Sequence, residues 1–220
     1  MRRALLLAML AWPVAAQQVL YEPLPPAGSA YLRIVNATAE PLAIRPGATL
    51  GTEPAQRVSP YTVQEAVADR PVELALTAVT ARGEANLRLE AGSFNTLIVV
   101  ADGTTLRALP VVDQTQFNQT RARLTFYNAT PGCAAAGLAL DPEGQSVFAD
   151  VAPGAARMRS VNPVSAQVRV ACGATRGAPF PLGTMEAGGK YSVWIMAPRG
   201  QPPGPLIGFI SRDATTPWRR

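Results

Sequence analysis

The residues able to do chemistry are few and scattered. The chain has 15 acidic residues, a single lysine (Lys190) and no histidine. Without imidazole, neither a Ser–His nor a Cys–His nucleophile can be assembled, and the commonest metal ligand is missing. Gly144-Gln145-Ser146-Val147-Phe148 begins like a nucleophile elbow but lacks its closing glycine. No phosphate-binding loop, dinucleotide fingerprint or C-x-x-C pair occurs. Lys190 lies in no catalytic motif and reads as a turn residue. Asp141 and Glu143 flank Pro142 and could offer oxygens to Ca²⁺, but two acids are too few for such a loop. Glu90 and Glu186 sit at corresponding places in two similar segments and read as structural, holding the turn before an Ala-Gly pair. No catalytic residue, metal site or cofactor is expected.

Binding chemistry is better represented. Flat aromatic faces can stack on the apolar faces of sugars. Tyr31, Tyr61, Phe94, Tyr127, Tyr191 and Trp194 are the candidate platforms. Tyr31, Tyr61 and Trp194 are the candidate binding residues for a polysaccharide or protein partner. For Trp194 the plainer reading is that it covers the rear of a central strand, since a large aromatic is seldom left exposed. The arginines form no basic stripe with interleaved aromatics, so nucleic acid is not an expected partner.

The N-terminus predicts export. Arg2 and Arg3 precede the apolar run Ala4 to Trp12, and Val14-Ala15-Ala16 offers a cleavage site before Gln17. The run is shorter than the roughly 20 residues that span a bilayer. Losing this segment takes the formal charge from +5 to +3, because Arg2 and Arg3 go with it. In an oxidising compartment Cys133 and Cys172, the only two cysteines, are expected to form a disulfide.

These residues must be positioned by short strands. The 18 glycines and 21 prolines are spread along the chain, which disfavours long helices. Ala30 to Thr38 matches Ala122 to Thr130, an offset of 92, and both segments end in Asn-Ala-Thr. Leu89 to Val100 matches Met185 to Met196, an offset of 96. Two matches in the same order describe a repeat of domain size. Strands are predicted near 30–36, 41–45, 56–59, 71–80, 84–90 and 95–101, then near 122–128, 136–140, 146–150, 156–160, 165–171 and 190–196. An edge strand is placed over Leu206 to Ile210. The predicted fold is all-β: two tandem β-sandwich domains related by internal duplication. Their expected bounds are 17–110 and 121–212, with a linker at 111–120 and a flexible tail at 213–220. Period-two alternation puts Leu32, Ile34, Leu124 and Phe126 inward, and Arg33 and Thr125 outward. The three Asn-x-Thr sequences at Asn36, Asn118 and Asn128 fit a glycosylation pattern, yet read more simply as turns.

A family resemblance adds to this. Leu20-Tyr21-Glu22-Pro23-Leu24-Pro25-Pro26-Ala27-Gly28-Ser29-Ala30, running into Tyr31 to Ala37, resembles the opening of the AlgF family of alginate biosynthesis proteins. Val58-Ser59-Pro60-Tyr61, Ala91 to Thr96 and Arg123 to Ala129 are similar to later blocks of that family. The resemblance implies a periplasmic, non-catalytic adaptor required for O-acetylation of an exopolysaccharide, alginate or a related polymer such as cellulose. Its implied partners are a membrane O-acyltransferase and periplasmic acetyltransferases, and the polysaccharide itself is a further candidate. The other readings of the residues are a pair of carbohydrate-binding modules, a generic secreted β-sandwich surface protein and a direct acetyltransferase.

Overall fold

The computed structural model describes residues 25–116, 118–199 and 205–218. The expected signal segment lies outside them, as do Arg219 and Arg220. Eight strands come first: β1 (Ala30–Asn36), β2 (Leu42–Arg45), β3 (Thr49–Leu50), β4 (Thr62–Gln64), β5 (Val72–Thr77), β6 (Arg82–Leu87), β7 (Phe94–Asp102) and β8 (Thr105–Val112). A 3-10 turn, Pro54–Gln56, precedes β4. Then follow β9 (Ala122–Asn128), β10 (Ala136–Leu140), β11 (Ser146–Val151), β12 (Ala156–Val161), β13 (Gln167–Cys172), β14 (Thr175–Arg176), β15 (Phe180–Pro181), β16 (Lys190–Met196) and β17 (Ile207–Arg212). The protein is all-β, with several sheets.

The first eight strands form one sheet in the order β3-β2-β5-β6-β8-β7-β1-β4. The β6–β8 junction rests on one registered pair, Arg82 with Thr105. Leu42, Leu74 and Leu87 from one end share a core with Leu32, Leu97 and Leu106 from the other, so the sheet closes over itself at this junction. The crossing is tight: a Cβ on Gly83 would lie 2.2 Å from the Leu106 carbonyl oxygen, so only glycine fits. The later strands form β12-β9-β16-β17 and β11-β10-β13-β14, with β15 also on β13. Their shared core includes Leu124, Phe126, Leu138, Val170 and Val193.

Local chemistry follows the sequence pattern closely. The Asn36 side-chain oxygen accepts the Thr38 N–H at 3.0 Å, and that of Asn128 accepts the Thr130 N–H at the same distance. Each amide NH₂ then donates to two carbonyls across its loop, Glu40 and Gly51 for Asn36, Cys133 and Val151 for Asn128. These asparagines are fully buried plugs at the ends of β1 and β9. The two Ala-Gly turns also match: Ser93 N–H reaches Glu90 O, Gly189 N–H reaches Glu186 O, and Gly92 and Gly188 have φ of 79° and 73°. Such left-handed backbone favours glycine at this turn position. Cys133 and Cys172 form the expected disulfide.

Four expectations change. The region 56–59 is not a strand; Gln56 closes the 3-10 turn, and only Val58 makes an isolated bridge, to Val35. Val111 and Val112, expected in a linker, lie in a strand, because Thr105–Val112 pairs with Asn95–Asp102 of β7. Pro110 is tolerated because the far edge of β8 carries no ladder there, so its missing N–H leaves no partner unpaired. Within the expected tail, Ala214 and Thr216 are tied to Tyr61: Tyr61 N–H donates to Ala214 O and Thr216 N–H to Tyr61 O, each at 2.8 Å. Lastly, Arg33 and Thr125 are buried, not outward. A third apolar cluster explains this, joining Val35, Ile98 and Val111 of the early strands to Tyr127, Trp194 and Phe209 of the late ones. The rear faces of β1–β7 and β9–β16 cover each other.

A buried charged seam as the candidate functional site

At one end of this rear-face contact the apolar packing gives way to a polar network. Arg33, in the middle of β1 and opposite Thr96 of β7, is 1% exposed. Its Nε donates to Thr96 Oγ1 at 2.8 Å and Nη1 to Asp213 Oδ1 at 2.7 Å. Nη2 donates to the Tyr127 hydroxyl at 2.8 Å and to Ser192 Oγ at 3.0 Å. The guanidinium also lies over the rings of Tyr61, Trp194 and Tyr127, with centroids 4.5, 5.0 and 5.1 Å away. Such cation–ring contacts strengthen when desolvated.

Each hydroxyl relays the charge onward. Thr96 Oγ1 and the Tyr61 hydroxyl donate to Asp113 Oδ2 at 2.7 and 2.8 Å, and the Tyr127 hydroxyl donates to Asp113 Oδ1. Ser192 Oγ donates to Asp213 Oδ1 at 2.6 Å, and Arg123 Nη2 reaches Asp213 Oδ2 at 2.9 Å. Asp113 and Asp213 stand at matching places. Asp113 follows β8 and its N–H meets Phe94 O; Asp213 follows β17 and its N–H meets Lys190 O. The two arginines balance the two carboxylates, and hydroxyls fill the spaces between, which is how buried charges are made tolerable.

The ionisation states follow from the surroundings. Burial pushes the Tyr61 and Tyr127 hydroxyls well above the ordinary tyrosine range, outweighing the pull of Arg33. Both therefore stay protonated and act as donors. Burial alone would raise the Asp213 carboxyl, but the Arg33 charge and hydrogen bonds from Ser192, Arg33 and Arg123 bring it below its usual value. Burial alone would lower Arg33; Tyr127, Asp213, Tyr61 and Asp113 together hold its proton more tightly than usual.

A cavity of about 200 Å³ lies against this network, its wall including Tyr61, Phe94, Asp113, Arg123, Lys190 and Asp213. Arg123 Nη1 donates to Gln114 O at 3.0 Å, while its buried Nε–H has no acceptor among the described residues.

The three candidate aromatics fall in different places. Tyr31 is partly exposed and stacks on Phe94, centroids 4.2 Å apart. Tyr61 is buried at the network with its edge to Phe94. Trp194 has 0% exposure, stacks on Tyr127 and donates to Ser211 Oγ at 2.9 Å. It covers the rear of a central strand, and a polymer cannot reach its ring in this arrangement. Sequence reasoning missed Arg33, Thr96, Asp113, Ser192 and Asp213 as a group. One signal was present: Arg33 shares its face with Tyr31 and Val35, an apolar frame uncommon around a solvent-facing arginine. Among the described residues no acidic or cysteine cluster could hold a metal ion.

Packed sheets joined through a buried, charge-balanced seam define an all-β protein in which Arg33, Arg123, Asp113 and Asp213 are tied together between the sheets. The chain belongs to the family described as alginate O-acetyl transferase AlgF, whose sequence model matches residues 4–191. No curated protein matches it. Family membership gives the chain a role in alginate O-acetylation.

Proposed function

We propose that the chain serves alginate O-acetylation as a periplasmic, non-catalytic adaptor, coupling a membrane O-acyltransferase to periplasmic acetyltransferases. The observation that carries this reading is the state of its hydroxyls. Within the seam, the hydroxyls of Thr96, Tyr127 and Ser192 are buried and each is held between Arg33 and an aspartate, and that of Tyr61 is buried against Asp113. An acyl-accepting nucleophile needs access to its donor and a base that can take its proton. A salt-bridged carboxylate held below its ordinary range is a poor base, and the sequence contains no histidine. The disulfide and the signal-like N-terminus support export to an oxidising compartment.

The adaptor is, on this reading, two tandem sandwiches derived by duplication, the first holding β1 to β8 and the second β9 to β17. Strand order β4-β1-β7-β8 parallels β12-β9-β16-β17, and β3-β2-β5-β6 parallels β11-β10-β13-β14. Parallel pairing of β1 with β7 is repeated by β9 with β16.

Deleting the chain from its host tests the role. Polymer should still be made but should lose its acetyl esters, and the acetyltransferases should co-purify with the tagged chain. Purified mature protein that alone transferred acetyl groups from an ester donor with turnover would remove the non-catalytic reading.

A further inference from the structure

We propose that the free edge of β17 docks an extended, uncharged segment of a periplasmic acetyltransferase as an added strand; this rests on the adaptor reading above and gives it a point of attachment. Asp213 N–H donates to Lys190 O, so in the antiparallel β16–β17 ladder Ile207, Phe209 and Ser211 are the residues bonded to β16. The N–H and C=O groups of Ile210 and Arg212 therefore point away from β16, where no described residue bonds to them. Beside them lies a groove of about 490 Å³, with Ile210 to Ala214 on one wall and Pro54, Ala55, Val58 and Pro60 on the other. No β16 residue lines it, which places it at the outer edge of β17. Val58 adds backbone groups to the second wall. Its neighbours Arg57 and Ser59 are the ones bonded to β1, through Asn36 N–H and Ile34 O, so the peptide groups of Val58 turn away from β1.

An unpaired strand edge is a template for another strand. This side of the molecule already takes one: Tyr61 exchanges backbone hydrogen bonds with Ala214 and Thr216 of the tail. Ala214 also lines the groove, so a docked segment would continue that contact. Width selects a lone strand. Pro54 and Ala55 of the 3-10 turn stand across from β17, and the edge of a second folded sheet would collide with them. From Ile210 to Ala214 the wall is about 13 Å long at 3.3 Å per residue, room for four or five extended residues. Charge selects against a polyuronate. The charged lining residues are all paired, Arg33 with Asp213 and Arg212 with Glu186. A polymer with a carboxylate on every ring would find no spare cation here, whereas small apolar side chains would meet an apolar wall.

Arg212→Pro removes an outward N–H and keeps every β16–β17 bond, so the melting temperature should change little. The reference is Arg212→Ala, which loses the same side chain and its pair with Glu186 but keeps the N–H. In co-purification of the host's periplasmic acetyltransferases with the tagged chain, Arg212→Pro should recover on the order of tenfold less than Arg212→Ala, for one lost strand hydrogen bond and a ring in the groove. Ser160→Pro makes the same change on the free edge of β12, at the far side of that sheet, and should match the parent. Ala55→Trp, at an exposed position in the 3-10 turn, fills the groove and should also lose the partners; it decides the matter if proline unfolds the strand. Amide exchange at Ile210 and Arg212 should slow when a purified acetyltransferase is added and not when an alginate oligomer is. The edge is refuted if Arg212→Pro recovers as much as Arg212→Ala, if Ala55→Trp recovers as much as the parent, or if exchange is unchanged or is slowed equally by the oligomer. In those cases a parent that still co-purifies its partners leaves the adaptor role standing, whereas a parent that retains none removes the role and the edge together.

Discussion

Arg33→Met keeps most of the side chain's length but removes the cation at the centre of the seam. Four hydrogen bonds of 2.7–3.0 Å are lost, together with three ring contacts. The three hydroxyls can still donate to the aspartates, so the main penalty falls on the carboxylates. Asp213, with a side chain 4% exposed, loses the nearer of its two arginine partners and keeps Arg123. Removing one member of a buried pair costs about 3–5 kcal/mol. Domain stabilities are about 5–15 kcal/mol, so the change is a large share of the whole. At about 2–4 °C per kcal/mol for a chain of this size, melting should fall by roughly 6–20 °C. Scanning calorimetry of the mature chain at neutral pH measures this. The Arg33→Met, Asp213→Asn double variant should be less destabilised than the sum of the singles by at least about 1 kcal/mol, because the two groups share a contact. Arg107 supplies the contrast: its pair with Asp102 is 3.5 Å long and 57% and 68% exposed, and Arg107→Met should stay within about 0.5 kcal/mol of the parent. A loss below about 1 kcal/mol for Arg33→Met, or strict additivity with Asp213→Asn, would refute the seam as a stabilising tie.

Acid should unfold the protein through the same group. Asp213 titrates lower folded than unfolded, so the unfolded chain binds the proton first, and stability is full above about pH 4 and declines as pH falls below it; Asp213→Asn should flatten that limb in denaturant midpoints measured between pH 2 and 7. Tyr61 and Tyr127 titrate higher folded than unfolded, so their contribution is full below about pH 10 and is lost as pH rises past it. Tyrosinate absorbance should therefore show these two ionising only with unfolding, and a lag that survives in the Tyr61→Phe, Tyr127→Phe variant would contradict the assignment. The Cys133–Cys172 bridge, 39 residues apart, should contribute about 4 kcal/mol on the chain-entropy estimate; Cys133→Ser with Cys172→Ser should lower the urea midpoint accordingly, and two free thiols by mass spectrometry in native protein would exclude the bridge. Trp194 fluorescence, read in a Trp218→Phe background, should resist iodide quenching because the ring is fully buried, and easy quenching would reinstate it as a surface platform.

Much of the fold was legible because its signals are local. Alternation marks β1 and β9, whose apolar and polar residues change with the pleat over Leu32-Arg33-Ile34 and Leu124-Thr125-Phe126. The asparagine at each strand end and the glycine at each Ala-Gly turn need only their immediate neighbours to explain them. The cysteine pair was legible from export and number alone. β8 was not, since Pro110 resembles a breaker until the neighbouring strand shows that its missing N–H faces no partner.

The sequence by itself determined short paired strands, the repeated turns, the bridge and the lack of an imidazole. It could not decide which faces are solvated, because a pleated strand with Arg33 on one side looks the same whether that side meets water or a second sheet. Only the tertiary structure decides that, by packing two rear faces together. Arg33 and Asp213 are 180 residues apart along the chain and 2.7 Å apart in space, and no local rule of periodicity or turn chemistry links positions so far separated.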